Sequence, residues 1–141
     1  MDNYFIVYDK LPSLNEYINA CRRNPFVGAS FKKKVEKTIS KYINIYLSRG
    51  ILKILDEPII IFFTWSESTK RRDGDNIVSA KKFILDAMQS CNIISNDNRK
   101  IVKGFRDDII DGDEDYVLVE IIPAREIFQS CRVIPGIIYL D

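Results

Sequence analysis

The chain of 141 residues has the length of one ordinary domain, and its 21 Lys and Arg residues almost balance its 20 Asp and Glu residues. It contains no histidine, which excludes His-based general acid–base chemistry, Ser-His and Cys-His nucleophiles and most transition-metal sites. Cys21, Cys91 and Cys131 are too widely spaced to indicate a disulfide framework or a zinc site. No apolar run approaches the roughly 18 residues that cross a bilayer. We expect a single cytoplasmic domain over residues 1–141 with no membrane contact, and any enzymatic chemistry must use carboxylates, lysine, tyrosine or a metal ion.

Three elements are predicted in the first half of the chain. Residues 4–8 are rich in aromatic and β-branched side chains, which predicts a strand, and a loop follows it. Residues 31–47 carry apolar side chains at the spacing of one helical face, between Ser30 as a cap and Gly50 as a stop. The nearly continuous apolar run at residues 58–65 is typical of a strand buried on both faces.

The strand predicted at residues 58–65 leads into residues 70–76, Lys-Arg-Arg-Asp-Gly-Asp-Asn, where three cations stand directly before a pair of carboxylates. The glycine between Asp73 and Asp75 would permit a sharp turn, so both carboxylates can face one hard cation. The cations would then hold a phosphate. The same residues also fit an ordinary exposed turn leading into a helix. A calcium-binding EF-hand is excluded, because the twelfth position counted from Asp73 is Ile84 and not a bidentate Glu.

Residues 76–90 have the apolar spacing of a second amphipathic helix. If the helical path extends back to the turn, one polar stripe runs along it: Asp75, Ser79, Lys82 and Asp86. Lys81 falls on the apolar side of this helix. Either its side chain passes the edge of the core, or the helix begins later than residue 76.

Two later strands are predicted at residues 101–105 and 116–122, joined by the acidic turn 111–115. This turn repeats the Asp-Gly-Asp pattern, but no basic triplet or helix adjoins it, so a hairpin turn explains it. Residues 123–141 form a C-terminal extension of unknown role. The expected fold class is α+β, with a mixed sheet of about four strands packed against two main helices.

Four segments, in this order, are similar to the RusA family of Holliday junction resolvases, which prophages often carry. They are Leu14-Asn15-Glu16-Tyr17 after the first strand, Arg71-Arg72-Asp73-Gly74-Asp75-Asn76, the stretch from Lys82 to Met88, and Asn96-Asp97-Asn98. The resemblance extends over about residues 3–122. It implies a small α+β homodimer that uses Mg²⁺ or Mn²⁺ to nick four-way DNA junctions in recombination and repair.

The resemblance also implies roles for individual residues. The acidic metal-binding positions of the family fall on Asp73, Asp75 and Asp97, with Asp86 as an outer or minor ligand. Counting back from Asp86 places the family lysine at Lys82, whereas counting forward from Asn76 places it at Ser79. About three extra residues, close to one helical turn, separate the two positions. The lysine would orient the attacking water or stabilise negative charge that develops on the phosphate.

DNA contacts are expected from seven cations: Arg22, Arg23, Lys32, Lys33, Lys34, Arg71 and Arg72. Any one such basic run is more often a solvated face. Paired nicking of a symmetric junction requires two active sites, which predicts a two-fold homodimer. Three other functions stay open: a metal-dependent nuclease acting on flaps, forks or RNA, a junction-binding protein without catalysis, and a small interaction domain unrelated to nucleic acid.

Overall fold

A four-stranded mixed β-sheet organises the chain in the computed structural model, which describes residues 2–69, 71–95 and 100–131. The α+β class and the size of the sheet are as predicted, and the described residues form five helices where two main ones were expected. In chain order the elements are β1 (Tyr4–Val7), α1 (Leu14–Arg23), α2 (Pro25–Ser48), β2 (Ile59–Glu67), α3 (Gly74–Val78), α4 (Lys81–Ser90), β3 (Val102–Asp111), β4 (Tyr116–Pro123) and α5 (Ala124–Cys131).

Strand β2 lies inside the sheet, whose order is β1-β4-β2-β3. It runs parallel to β3, with Trp65 opposite Ile109, and antiparallel to β4. Because β3 and β4 flank β2 on opposite sides, the prediction that the acidic turn closes a hairpin is wrong. The turn crosses the end of β2, where the amide of Gly112 donates a hydrogen bond to the carbonyl of Glu67 at 3.1 Å.

The hydrophobic core lies between one face of the sheet and the helices α2 and α4. Burial alternates along β1 and β4, as expected for strands with one face on the core. Phe5, Phe63 and Val119 of the sheet join Ile39 of α2 and Ile84 of α4 in one cluster. Strand β2 is buried along most of its length, but alternate residues near its middle are only half-buried, so its expected burial on both faces is confirmed in part.

Helix α1 occupies a segment that was predicted to be a loop. Ser13 caps it, since the Ser13 hydroxyl accepts a hydrogen bond from the amide of Glu16 at 3.2 Å. Ala20 is the one residue of α1 that is fully buried. Leu14, Tyr17, Ile18 and Cys21 nevertheless recur at i, i+3, i+4 and i+7, so the sequence carries a helical periodicity that the loop prediction missed.

Helix α2 is longer than predicted at its start. It begins at Pro25 and not near Ser30, because the Asn24 side chain accepts a hydrogen bond from the amide of Phe26 at 2.8 Å. The predicted stop is confirmed. Gly50 has a φ of +71°, the left-handed conformation that commonly follows a helix C-terminus.

The helix predicted over residues 76–90 is interrupted. α3 ends at Val78 and α4 begins at Lys81, so no continuous helix carries the expected polar stripe from Asp75 to Asp86. The later helix start is the alternative that the structure bears out for Lys81. In the C-terminal extension, α5 packs against β2 and β4, and residues 132–141 lie outside the described part. No helix in the described ranges is long and apolar enough to cross a membrane.

Candidate active site

The two carboxylates of the basic-acidic turn follow the end of β2 and open α3. The Asp73 side chain forms no hydrogen bond or ion pair with the described residues, whereas the Asp75 carboxylate accepts a hydrogen bond from the amide of Asn76 at 3.0 Å. Both carboxylates are exposed to solvent. Gly74 is not in a left-handed conformation, which corrects the sharp-turn role expected of it. Its lack of a side chain instead permits a close approach to β3, because a Cβ there would lie 3.1 Å from Cδ1 of Ile109.

Arg72 is engaged inside the protein. Its Nε and Nη2 donate to the two carboxylate oxygens of Glu67 at 3.0 and 2.9 Å, and its Nη1 donates to the carbonyl of Leu11 at 3.0 Å. The Glu67 and Arg72 side chains are only 6% and 16% exposed. The guanidinium that was expected to meet a phosphate therefore joins the turn to β2 and to the segment before α1. Arg71 remains exposed beside it.

Sequence reasoning did not identify Glu67. Its only signal is a carboxylate that ends an apolar strand five residues before an arginine. A buried carboxylate needs a charged or hydrogen-bonding partner, so the strand assignment together with the following basic run could have predicted this pair.

The first helix contacts the turn directly. The side-chain amide of Asn15 donates to Oδ1 of Asn76 at 3.2 Å, and the backbone amide of Leu14 donates to the Ser79 hydroxyl at 3.0 Å. The Ser79 hydroxyl in turn donates to the carbonyl of Asn76 at 2.7 Å. Two segments about sixty residues apart in the sequence are thereby held together, and the Ser79 hydroxyl is committed to this junction.

Asp86 lies between two lysines on α4 and α2. Its oxygens are 3.2 Å from Nζ of Lys82 and 3.6 Å from Nζ of Lys32. The Lys82 side chain is 56% exposed, whereas that of Asp86 is 16% exposed. The carboxylate is thus placed to hold the lysine, and its negative charge is already balanced without a metal ion.

The neighbouring Lys81 is fixed elsewhere. Its Nζ lies 2.6 Å from a carboxylate oxygen of Asp107, whose other oxygen accepts from the Trp65 indole at 2.9 Å. The same ammonium lies over the rings of Phe105 and Phe63, 4.6 and 5.3 Å from their centroids. These contacts tie the first residue of α4 to β2 and β3, whereas the adjacent Lys82 reaches the surface.

Asp115 from the acidic turn lies beside the end of β2 that leads into the basic-acidic turn. Its Oδ1 accepts from the amide and the hydroxyl of Ser68 at 2.8 and 3.0 Å. The hydrogen bond from the Ser68 amide, with smaller contributions from the Ser68 hydroxyl and the charges of Lys10 and Arg72, lowers the pKa of Asp115. The acidic turn therefore stabilises the chain just before the candidate site.

The third predicted ligand, Asp97, lies outside the described residues, as does Lys70. Its described neighbours Ser95 and Lys100 line a cavity of about 430 Å³ together with Ile59, the first residue of β2. Asp73 and Asp75 follow the opposite end of that strand. Among residues 2–69, 71–95 and 100–131, no group of three acidic or cysteine side chains is arranged to hold a metal ion.

The predicted DNA-binding cations divide into two groups. Lys32 is paired with Asp86 and lies 4.0 Å from Glu36. The remaining members of this basic surface are exposed and form no ion pair within the described part of the chain: Arg22, Arg23, Lys33 and Lys34.

A scan against protein-family models finds no match for the chain, and a search of curated proteins likewise finds none. The motifs quoted above and the contacts between them are therefore what a functional assignment rests on.

Proposed function

We propose that the protein is a RusA-type endodeoxyribonuclease that nicks four-way DNA junctions by divalent-metal-dependent hydrolysis. The observation that carries this proposal is the contact between the first and second motifs. The Asn15 side chain bonds to that of Asn76, and the Leu14 backbone amide bonds to the Ser79 hydroxyl. The contacts hold α3 at Asn76 and at its C-cap Ser79 while leaving Asp73 and Asp75 exposed, as a site for a charged ligand requires.

The donor set suits Mg²⁺, which keeps several water ligands and is commonly held by one or two carboxylates together with a substrate phosphate. Asp73 is without an internal partner in the described part of the chain, and only one oxygen of Asp75 accepts a hydrogen bond, from the Asn76 amide. These two residues would hold the ion. When bound, Mg²⁺ supplies charge neutralisation at the phosphorus and activation of the attacking water.

The surrounding residues have distinct roles in this proposal. Lys82 places positive charge near the phosphate, and Asp86 orients Lys82 through the 3.2 Å ion pair and is not a metal ligand. Arg71 binds the phosphate from the exposed side of the turn. Arg72 holds the turn in place through Glu67 and touches no substrate.

Asp97 is assigned to this site by the motif resemblance alone, since it lies outside the described residues. Ser95, the nearest described residue before it, lines a cavity with Ile59 at the start of β2, whereas Asp73 and Asp75 follow the end of that strand. We therefore propose that each site of a homodimer, which symmetric nicking demands, combines Asp73 and Asp75 of one copy with Asp97 of the other.

The decisive experiment uses a labelled four-way junction and a linear duplex, with Mg²⁺ or EDTA. The wild-type protein should nick the junction alone, and only with metal. Asp75→Asn should abolish nicking while sparing binding. Asp113→Asn is the matched control, because it changes the second Asp-Gly-Asp sequence, and it should cleave normally.

A mixture of the two inactive variants tests the shared site. A dimer of one Asp75→Asn chain and one Asp97→Asn chain retains one intact set of ligands only if the set spans both chains. Co-expression should therefore restore nicking of one strand. No restored activity would place all three ligands within a single chain. Junction binding without cleavage under any metal condition would establish a binding protein, and equal cutting of the duplex a general nuclease.

A further inference from the structure

A single aromatic side chain projects from the corner between α1 and α2. Phe26 is 84% exposed, the highest value among the large hydrophobic residues of the described chain. Exposing a phenylalanine forgoes roughly 2 kcal/mol of hydrophobic stabilisation, so nothing in the fold of the isolated chain explains its position.

The corner is rigidly defined. Asn24 is both the C-cap of α1 and the N-cap of α2, and its side chain accepts a hydrogen bond from the amide of Phe26 at 2.8 Å. Pro25 fixes the first helical position. Gly28 lies against α1, where a Cβ would come within 2.5 Å of the Cys21 sulfur, so the two helices approach too closely there for any larger residue. Phe26 is therefore presented from a fixed backbone.

The surface around Phe26 is apolar at its base and basic at its rim. Phe26, Val27 and Phe31 line a groove of about 400 Å³, with Lys34 at its edge. Val27 and Phe31 also line a second groove of about 300 Å³, which Arg23 borders. One carboxylate, Glu16, lies beside this second groove.

The charge of this region sets it apart from the rest of the chain. Residues 21–34 contain five cations and no Asp or Glu, and since the whole chain carries +1, the remaining residues sum to −4. Arg22, Arg23, Lys33 and Lys34 are exposed without an ion-pair partner in the described residues. A protein partner would require an interface core depleted of charge, whereas a polyanion with exposed ring faces fits both the cations and the aromatic.

We propose that Phe26 stacks on a nucleotide base at the branch point of the DNA junction, while Arg22, Arg23, Lys33 and Lys34 bind the adjacent phosphates. This inference rests on the proposed junction-cleaving function and names how branched DNA is distinguished from linear DNA. In a linear duplex both faces of each base are covered by its neighbours. At a branch point the stacking is interrupted, so an aromatic side chain finds a free base face.

The test compares Phe26→Ala, Phe26→Trp and the wild-type protein in binding to a fixed four-way junction and to a linear duplex of the same arm sequence. EDTA is present, so binding is measured apart from cleavage. Phe128→Ala is the matched control, because Phe128 is 50% exposed on α5. Phe26→Ala should weaken junction binding by about 5- to 150-fold, the range expected for loss of one base stack, and leave duplex binding unchanged.

Two further readouts separate stacking from charge. Phe26→Ala should leave the salt dependence of binding unchanged, whereas Arg23→Ala should lower its slope by about one. The native protein has a single tryptophan, Trp65, which is buried. The indole introduced by Phe26→Trp is thus an exposed reporter, and the junction, but not the duplex, should shield it from acrylamide.

Unchanged junction binding by Phe26→Ala, or equal loss on both DNAs, would overturn the inference even if the protein cleaves junctions. Dissociation of the Phe26→Ala protein to monomers in sedimentation would also overturn it and assign the surface to contact between copies. A junction-selective loss in a protein without nuclease activity would sustain the stacking role and remove only the catalytic proposal.

Discussion

Replacing Arg72 with Met should destabilise the fold strongly, because it leaves the Glu67 carboxylate buried without its charged partner. Glu67 is 6% exposed and accepts two hydrogen bonds from the guanidinium. Breaking a buried ion pair by removing one partner typically costs about 3–5 kcal/mol, a large share of the roughly 5–15 kcal/mol that holds a domain folded. At this chain length the loss corresponds to a fall in Tm of about 6–20 °C.

The measurement is urea unfolding of Arg72→Met, Glu67→Met and the double variant. The double variant should recover much of the stability lost by Arg72→Met, because a buried ion pair replaced by apolar side chains of similar volume is often nearly neutral. Arg71→Met is the control. Arg71 is exposed beside Arg72, so its replacement should change the free energy of unfolding by less than about 0.5 kcal/mol and weaken DNA binding instead.

A loss below about 1 kcal/mol in Arg72→Met, accompanied by weaker DNA binding, would refute this reasoning. It would mean that the guanidinium leaves Glu67 and binds phosphate. Lys at position 72 would not restore stability, because an ammonium cannot bind both carboxylate oxygens and the Leu11 carbonyl in the planar geometry seen here.

Two other predictions concern the acidic turn. Gly112→Ala places a Cβ 2.5 Å from the Ser66 hydroxyl and breaks its hydrogen bond to the Glu114 carbonyl, so it should cost about 1–3 kcal/mol in urea unfolding. Gly104→Ala meets no atom within 4 Å and should be nearly neutral, and equal losses would contradict the contact. Asp115 has a pKa below its ordinary value of 3.8, so its stabilising contribution is present above that pH and is lost as the pH falls through the lowered value. The stability difference between wild type and Asp115→Asn should therefore be constant near neutral pH and shrink below pH 3.8, and a difference that grows on acidification would reverse the sign.

The elements that sequence patterns predicted well are those whose apolar residues are regularly spaced or continuous. Strand β1 and the body of α2 place regularly spaced apolar side chains on the core, and β2 is apolar and buried along most of its length. Helix α1 has a shorter apolar face, from which Leu14 and Tyr17 pack against the core, and Ser13 and Glu16 stand at the spacing of a capping box, so both signals could have placed its start.

The connection between β3 and β4 could not be predicted from local pattern. A short polar turn between two strands favours a hairpin, and only the insertion of β2 between them overrides that preference. The position of Asp73 and Asp75, exposed where a helix begins, follows from the residue types alone. The sequence pattern could not show which of the two arginines is buried in an ion pair and which faces solvent. Arg71 and Arg72 are adjacent and chemically identical, and burial against Glu67 alone distinguishes them.

The placement of β4 constrains how the nascent chain acquires its structure. Among the described strands β1 pairs with β4 alone, so Tyr4 has no strand-pairing partner until Glu120 has been synthesised. β2 likewise keeps one edge open until β4 is inserted. Pairing between strands so far apart in the sequence is slow. The edge of β2 that later pairs with β4 carries Ile59-Ile60-Ile61-Phe62-Phe63, an uncharged segment rich in β-forming residues. Synthesis on the ribosome therefore leaves this aggregation-prone segment without its β4 partner until Tyr116–Pro123 emerges.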